Sequence, residues 1–322
     1  MNSVRRVLRV PVAQLAVAVL LGVAVLVVAG SWLAPYDPTT NVPDIKLQGP
    51  SSAHWLGTDY LGRDILSRIM AGARVSVLGA AEAVAVAMLL GVPTGLGSAW
   101  LGRRFEWVAL RLSDTLMVLP FTVFAIAVVG ALGNGLTQSM VAIGILMTPL
   151  FFRVTRAVTL GLRQQQYVEA AELMGASQWW IVRRHIWSKV VPTIAVTTAQ
   201  ALGTALLVTA SLTFLGLGVP PPAPTWGGML AGDLPYLTQQ PYAPLYPGAM
   251  IMLTVGALNL LADVIRDSSP DDVRRGWRRN LAAAGGGLTG GVVAPVVPAD
   301  PEPVAATPDE EKEDAGVRVT AA

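Results

Sequence analysis

Long stretches without a single Asp, Glu, Lys or Arg constrain this chain more than anything else in it. Val10 to Tyr36, Thr115 to Phe152 and Val190 to Gly232 carry none. A helix rises about 1.5 Å per residue, so about 20 apolar residues cross the hydrocarbon layer of a bilayer. Each run is at least that long. With 53% hydrophobic residues, 14% charged residues and a mean hydropathy of +0.53, the chain lacks the charge to cover a soluble surface. The class is an integral membrane protein built from helices.

Six spans can be placed along the chain. Arg5, Arg6 and Arg9, within a short segment 1–9, precede the first, 10–36. A cleaved secretory signal or a twin-arginine signal would also put arginines before an apolar run. The run exceeds the roughly 7 to 15 residues of a signal core and more spans follow, which favours an uncleaved anchor. Residues 37–74 form a polar loop in which Leu61, Ile65 and Ile69 recur every four residues, predicting an amphipathic surface helix over Asp59 to Ala73. Asp59, Arg63, Asp64 and Arg68 are expected to orient that helix through ion pairs. Then comes a core, 75–267, holding five further spans.

The second span runs from about Val75 to Leu101, interrupted by Gly91, Pro93, Gly95 and Gly97. It contains Glu82, a charge costing roughly 2.5 to 3.5 kcal/mol if central in the bilayer. Glu82 therefore faces protein or water, either lining a path or serving as a paired or protonated structural group. Gly130, Gly133, Asn134 and Gly135 divide the next run into a third span, about Trp107 to Val129, and a fourth, about Gln138 to Val158. Arg111 and Asp114 are three apart and can pair on one helix face. The fifth span reaches about Leu217, where three prolines from Pro220 force a turn. The sixth lies near Tyr246 to Leu261.

Between the fourth and fifth spans, residues 164–192 are polar and helical in character. Tyr167 to Met174 favours helix, Gly175 can end it, and Ser177 can cap a second helix carrying Trp180, Arg183, Arg184 and Trp187. Pro192 is expected to mark a break. Beyond 268, arginines give way to Gly, Ala, Pro and acidic residues, the composition of a disordered tail spanning 268–322.

Glu169, Ala170, Ala171 and Gly175, followed by Val191 and Pro192, resemble the cytoplasmic coupling loop of ABC-importer permeases. His185 fits the His-x-x-Pro-Asn end of the second loop helix in the peptide branch, although Ser188 and Lys189 stand where Pro-Asn is usual. Leu56-Gly57-Thr58-Asp59, Leu61-Gly62-Arg63-Asp64, Gly72-Ala73-Arg74, Phe214 to Gly218 and Trp226-Gly227 resemble the C-type permeases of dipeptide and oligopeptide (peptide/nickel) importers. Asn259, Asp263, Arg266 and Asp267 resemble the closing sequence, with Ala262 in place of Gly. The resemblance covers about Leu56 to Asp271.

That resemblance implies an all-α type I ABC-importer permease fold with six transmembrane helices and a cytoplasmic coupling loop. Tyr167, Glu169, Ala170, Ala171, Gly175, Arg183, Arg184 and His185 would meet the ATPase, while Glu82, Arg111 and Asp114 are candidates for intramembrane or pathway positions. It implies as partners a second homologous permease, two ATPase subunits or domains holding ATP and Mg, and an extracytoplasmic solute-binding protein, within membrane lipid. No Gly-Lys dipeptide of a P-loop occurs, the chain has no cysteine and just two histidines, and no nucleophile-base set stands out, so neither catalysis, a metal site nor nucleic-acid binding is expected.

Positive residues cluster around 103–104, 153–189 and 274–279, which places these segments and both termini in the cytoplasm of the inner membrane. The alternative class is an ATP-independent secondary transporter or channel, which should show internal repeats and buried ion sites. No repeat is evident.

Overall fold

The computed structural model describes residues 11–133 and 135–268. The basic residues before the first span, Asn134 and the acidic tail lie outside the described residues. Among the described residues five helices are long and apolar enough to cross a bilayer, α1 (Pro11–Leu33), α2 (Ile65–Gly97), α5 (Leu136–Arg163), α8 (Trp187–Phe214) and α10 (Leu245–Ser268), and a bent pair of shorter helices makes a sixth span if counted as one. Shorter helices join them. These are α3 (Arg103–Val118) and α4 (Phe121–Leu132), α6 (Gln166–Leu173) and α7 (Gln178–Ile181), and α9 (Trp226–Asp233). Among the described residues there is no strand, only an isolated bridge between Thr58 and Asp64.

Helix α2 is the centre of the bundle and packs against α1, α5 and α8, while α10 closes the gap between α1 and α8. Its buried face, Ala80, Ala83, Val84 and Ala87, meets Met140, Ile143, Met147 and Phe151 of α5, both sets at three- and four-residue spacing. In lipid the hydrophobic effect does not drive helices together, so close backbone approach matters more. A Cβ on Gly91 would lie 2.7 Å from Thr148 O, and one on Gly144 would lie 2.7 Å from Ala83 O. Alanine at either position would push α2 and α5 apart.

Four sequence expectations are corrected. The surface helix over Asp59 to Ala73 does not form. The Asp59 carboxylate bends the chain by accepting the Leu61 and Arg63 amides, each at 2.9 Å, and Asp64 then caps α2 by accepting the Ser67 amide at 2.8 Å. The helix begins at Ile65 and runs through Pro93 to Gly97, about 50 Å at 1.5 Å per residue.

The third span is broken. Leu119, before Pro120, is extended at φ −67°, ψ 129°, and the axes of Arg103–Val118 and Val123–Ala131 differ by 101°. A residue preceding proline is pushed out of the α region, which explains the site of the break.

Pro192 does not end a helix; α8 passes through it. The distortion sits just upstream in a π turn, Val182–Ile186, where the Trp187 amide bonds the Val182 carbonyl. Such local widening lets membrane helices carry proline. The first span also stops short of Tyr36, whose amide donates to Ser67 Oγ at 3.1 Å and ties the loop to the start of α2.

Candidate functional site

The segment between α5 and α8 folds into a knob of two short helices set at a glycine. Helix α6 ends in a tight cap in which the Ala176 amide bonds Ala171 O and the Gly175 amide bonds Glu172 O, both at 3.0 Å. Gly175 sits at φ +79°, a left-handed value that suits glycine and completes this helix-ending motif. Ser177 then caps α7, its Oγ accepting the Trp180 amide at 3.3 Å.

The knob is pinned from within. Val168, Ala171, Ile181 and Ile186 are buried in the main core. The Glu-Ala-Ala sequence is thereby divided: Glu169 and Ala170 are exposed while Ala171 points into the packing. His185 lies between the two halves, its ring 5.8 Å from Tyr167 and 5.1 Å, edge-on, from Trp180. Arg183 and Arg184 are exposed.

Outward-facing apolar groups at the tip were not singled out by the sequence. Leu173 is 84% exposed, Met174 81% and Trp179 73%. Beside the tip, an apolar groove of about 1070 Å³ runs between the end of α2, from Met88 to Leu101, and Trp179, Trp187 and Val191. A helical pattern identifies apolar positions but does not separate a buried leucine from one reserved for another surface.

The three polar candidates do not converge. Glu82 is half-buried on the face of α2 that carries exposed Leu78, Ala85 and Leu89, with no bonded partner among the described residues. The expected Arg111–Asp114 pair is not formed. Asp114 instead meets Arg153 of α5 at 2.6 Å, and Arg111 is exposed. Arg156 pairs with Glu106, and Arg163 donates to the Ala99 carbonyl, so α5 gathers α3 and the end of α2 through three arginines.

At the opposite end of α2, the loop 37–64 and α9 form a polar cap. Asp59 Oδ2 takes Arg63 Nη2 and Nε, each at 2.7 Å, and lies 3.5 Å from Arg68 Nε. Arg68 Nη1 donates to Pro38 O at 2.7 Å. His54 Nδ1 lies 2.9 Å from Asp64 Oδ1. The expected ion pairs form, Asp59 with Arg63 and Arg68, but they hold a turn and a helix start together rather than one surface helix, and Asp64 serves as the cap. Trp226 docks α9, donating Nε1–H to Ile69 O at 3.0 Å and its amide to Ser76 Oγ at 3.1 Å.

A cavity of about 190 Å³ lies between this cluster and the turn containing Pro221 and Pro222. Asp233 lines it, 4% exposed, with Oδ2 lacking a hydrogen-bond partner. Burial, reinforced by the negative charge of Asp59, raises the Asp233 carboxyl to about 7, while Arg68 and Arg63 oppose the shift. Its position is an anomaly visible in the sequence: Asp233 is the one Asp, Glu, Lys or Arg between Lys189 and Asp263.

Residues 91–275 match the family described as "Binding-protein-dependent transport system inner membrane component". The chain is 40% identical over 259 residues to the glutathione transport system permease protein GsiD of Pectobacterium atrosepticum, covering 79% of this chain and 86% of that protein. It is 37% identical over 242 residues to the probable D,D-dipeptide transport system permease protein DdpC of Escherichia coli K12, covering 75% and 81%. In fold it is similar to a chain of the MetNI methionine ABC transporter solved in inward facing conformations, with a TM-score of 0.52, 16% identity, and coverage of 63% of this chain and 96% of that one.

Proposed function

This chain belongs to the family of binding-protein-dependent transport system inner membrane components, and from that premise we propose that it lends half of a translocation pathway for peptides or related small solutes. It is a transmembrane permease of an ATP-driven ABC importer and a multi-pass inner membrane protein. Its own pathway is half-built: Glu82 stands on an open face of α2, suited to a second, homologous permease or to the path between the two.

The observation that carries the coupling role is the exposed apolar tip on a knob whose base is buried. Leu173 and Met174 flank a glycine-set turn whose base is buried between α5 and α8. A contiguous exposed apolar group of this kind marks a protein interface. Two ATPase subunits, binding ATP and Mg, would seize such a knob on each permease, with Tyr167, Glu169, Ala170, Arg183, Arg184 and His185 around the contact and Ala171 and Gly175 fixing its shape.

Alternating access then needs leverage. Moving a two-state equilibrium from 1:99 to 99:1 takes ~5.5 kcal/mol of differential binding. Closure of the ATPases on ATP could deliver it through a knob that does not deform, and α5 and α8 would carry the displacement across the bilayer. In this reading 164–192 and both termini are cytoplasmic, 37–74 and α9 are extracytoplasmic, and an extracytoplasmic binding protein delivers solute to that side.

Affinity purification of the chain from its native membrane, with identification of companions and an ATPase assay, tests the reading. Recovery of a second permease and ATPases with ATP turnover is expected. A chain that purifies alone and moves solute in vesicles without ATP would overturn it.

A further inference from the structure

The cap at the Ile65 end of α2 holds a carboxyl with one oxygen that the described residues leave without a hydrogen bond. A buried carboxylate without a hydrogen bond or opposite charge is costly, and proteins resolve the cost with a proton, a metal or a paired cation. Asp59 shows the resolved state: Oδ1 accepts two backbone amides and Oδ2 takes Arg63 in two contacts. Asp233, equally buried, forms no ion pair among the described residues; the residue lines the cavity, and its Oδ2, closed off from solvent, has no hydrogen-bond partner among them.

The surroundings discriminate among cations. No group of three or more His, Cys, Asp or Glu side chains able to hold a metal exists among the described residues. Calcium would want six to eight oxygens. Here Met229 and Pro222 supply apolar wall beside the carboxyl, with Tyr60, its ring 5.6 Å from the Arg63 guanidinium carbon, on another side. Such a wall suits an organic cation, which brings its own carbon skeleton and needs one counter-ion.

We propose that this cavity binds a primary ammonium group, such as the amino terminus of a small peptide, with Asp233 as its counter-ion. The charged and titratable groups around the site are Asp59, Tyr60 and Arg63 from the loop, Arg68 from α2 and Asp233 from α9. Ammonium and proton compete for the same oxygen, so binding above about pH 7 displaces little proton, and below it binding weakens. The choice of a peptide amine rests on the solute class proposed above; the ammonium site itself does not.

Calorimetry on the full chain in lipid nanodiscs at about pH 8 tests this, using ethylammonium, diglycine and N-acetyldiglycine as probes. Ethylammonium and diglycine should bind, N-acetyldiglycine at least about tenfold more weakly, equivalent to about 1.4 kcal/mol. Asp233→Asn should lose about tenfold for the amines, whereas Asp37→Asn, at an exposed position in the loop 37–64, should not. Absence of binding by both amines at millimolar concentration, equal binding of the acetylated probe, or unchanged affinity in Asp233→Asn would overturn the site. The comparison of probes on the unaltered chain stands even if the variant misfolds. An importer that moves peptides while Asp233→Asn binds normally would refute the site and keep the function; a chain that binds ethylammonium through Asp233 but recruits no ATPase would do the reverse.

Discussion

The two ends of α2 are finished in different ways. At the Ile65 end, charged groups are drawn inward: Asp59, Arg63, Asp64 and Arg68 are all buried and find partners in the chain, whereas the buried Asp233 Oδ2 has none among the described residues. At the other end the knob hides its small apolar residues and holds Leu173, Met174 and Trp179 outward. Buried polar networks fix one geometry because each misplacement strands a charge. Exposed apolar surface instead leaves a stabilising contact to be made by something else. Apart from Asp233, the cap satisfies its own charges, whereas the knob leaves apolar side chains uncovered.

That contrast predicts that damage at the knob disables transport and spares the fold, while damage at the cap lowers stability. The largest effect belongs to Gly175→Pro. Proline fixes φ near −65° where the chain needs +79°, and it removes the amide that bonds Glu172 O. Uptake should be abolished with membrane levels unchanged, as judged by transport assay and immunoblot; Glu169→Arg should behave alike. Normal uptake in either would erase the distinction between the ends.

Next comes the pair Leu173→Asp with Met174→Asp. Both side chains are exposed, so thermal stability should hold, but affinity for the ATPase should fall about 30-fold, or about 2 kcal/mol, the size of an interface hot spot. Pull-down titration with the ATPase reads this directly. An equal loss of melting temperature would show that the tip supports the fold after all.

At the cap, Asp64→Ala removes the acceptor for the Ser67 amide at 2.8 Å and for its hydroxyl at 2.6 Å. A lost N-cap costs about 0.5 to 2 kcal/mol, seen as a lower melting temperature in detergent without a change in ATPase binding.

The most diagnostic effect is that of Asp233→Asn. A carboxyl raised from 3.8 to about 7 keeps its proton longer in the native state than in the unfolded one. Its contribution to stability is fully present below pH 3.8 and declines as pH rises through about 7, then levels. The variant should therefore melt higher than the parent at about pH 8 and equally at about pH 4. A higher melting point for the parent at pH 8 would show that Asp233 is paired.

How much of this was legible in the sequence follows from the physics of each feature. Spans were readable because lipid forbids charge over a fixed length, and charge is visible residue by residue. The glycine turn was readable because Gly175 occupies a conformation that few other residues adopt comfortably. The break at Pro120 was hidden inside an apolar run, where periodicity cannot choose between a straight and a bent helix. The start of α2 is hidden in the sequence because Leu61 repeats the helical spacing of Ile65 and Ile69, while Asp59 and Asp64 use their carboxylates on turn and cap amides. Asp114 chose Arg153, 39 residues away, over its neighbour on the helix, which only tertiary packing decides. Asp233 stood alone in a long charge-free region, a visible anomaly whose burial required the fold.

The central claim is that the knob is the surface another protein grips. The chain has no cysteine, so Leu173→Cys introduces a single reactive thiol at the tip without altering the buried base. Cross-linking in native membranes with a short bifunctional reagent, with and without ATP, is the direct measurement. The account predicts one adduct, between this chain and an ATPase subunit, with a yield that changes when ATP is added. An accessible thiol that forms no such adduct in membranes active for uptake would contradict it.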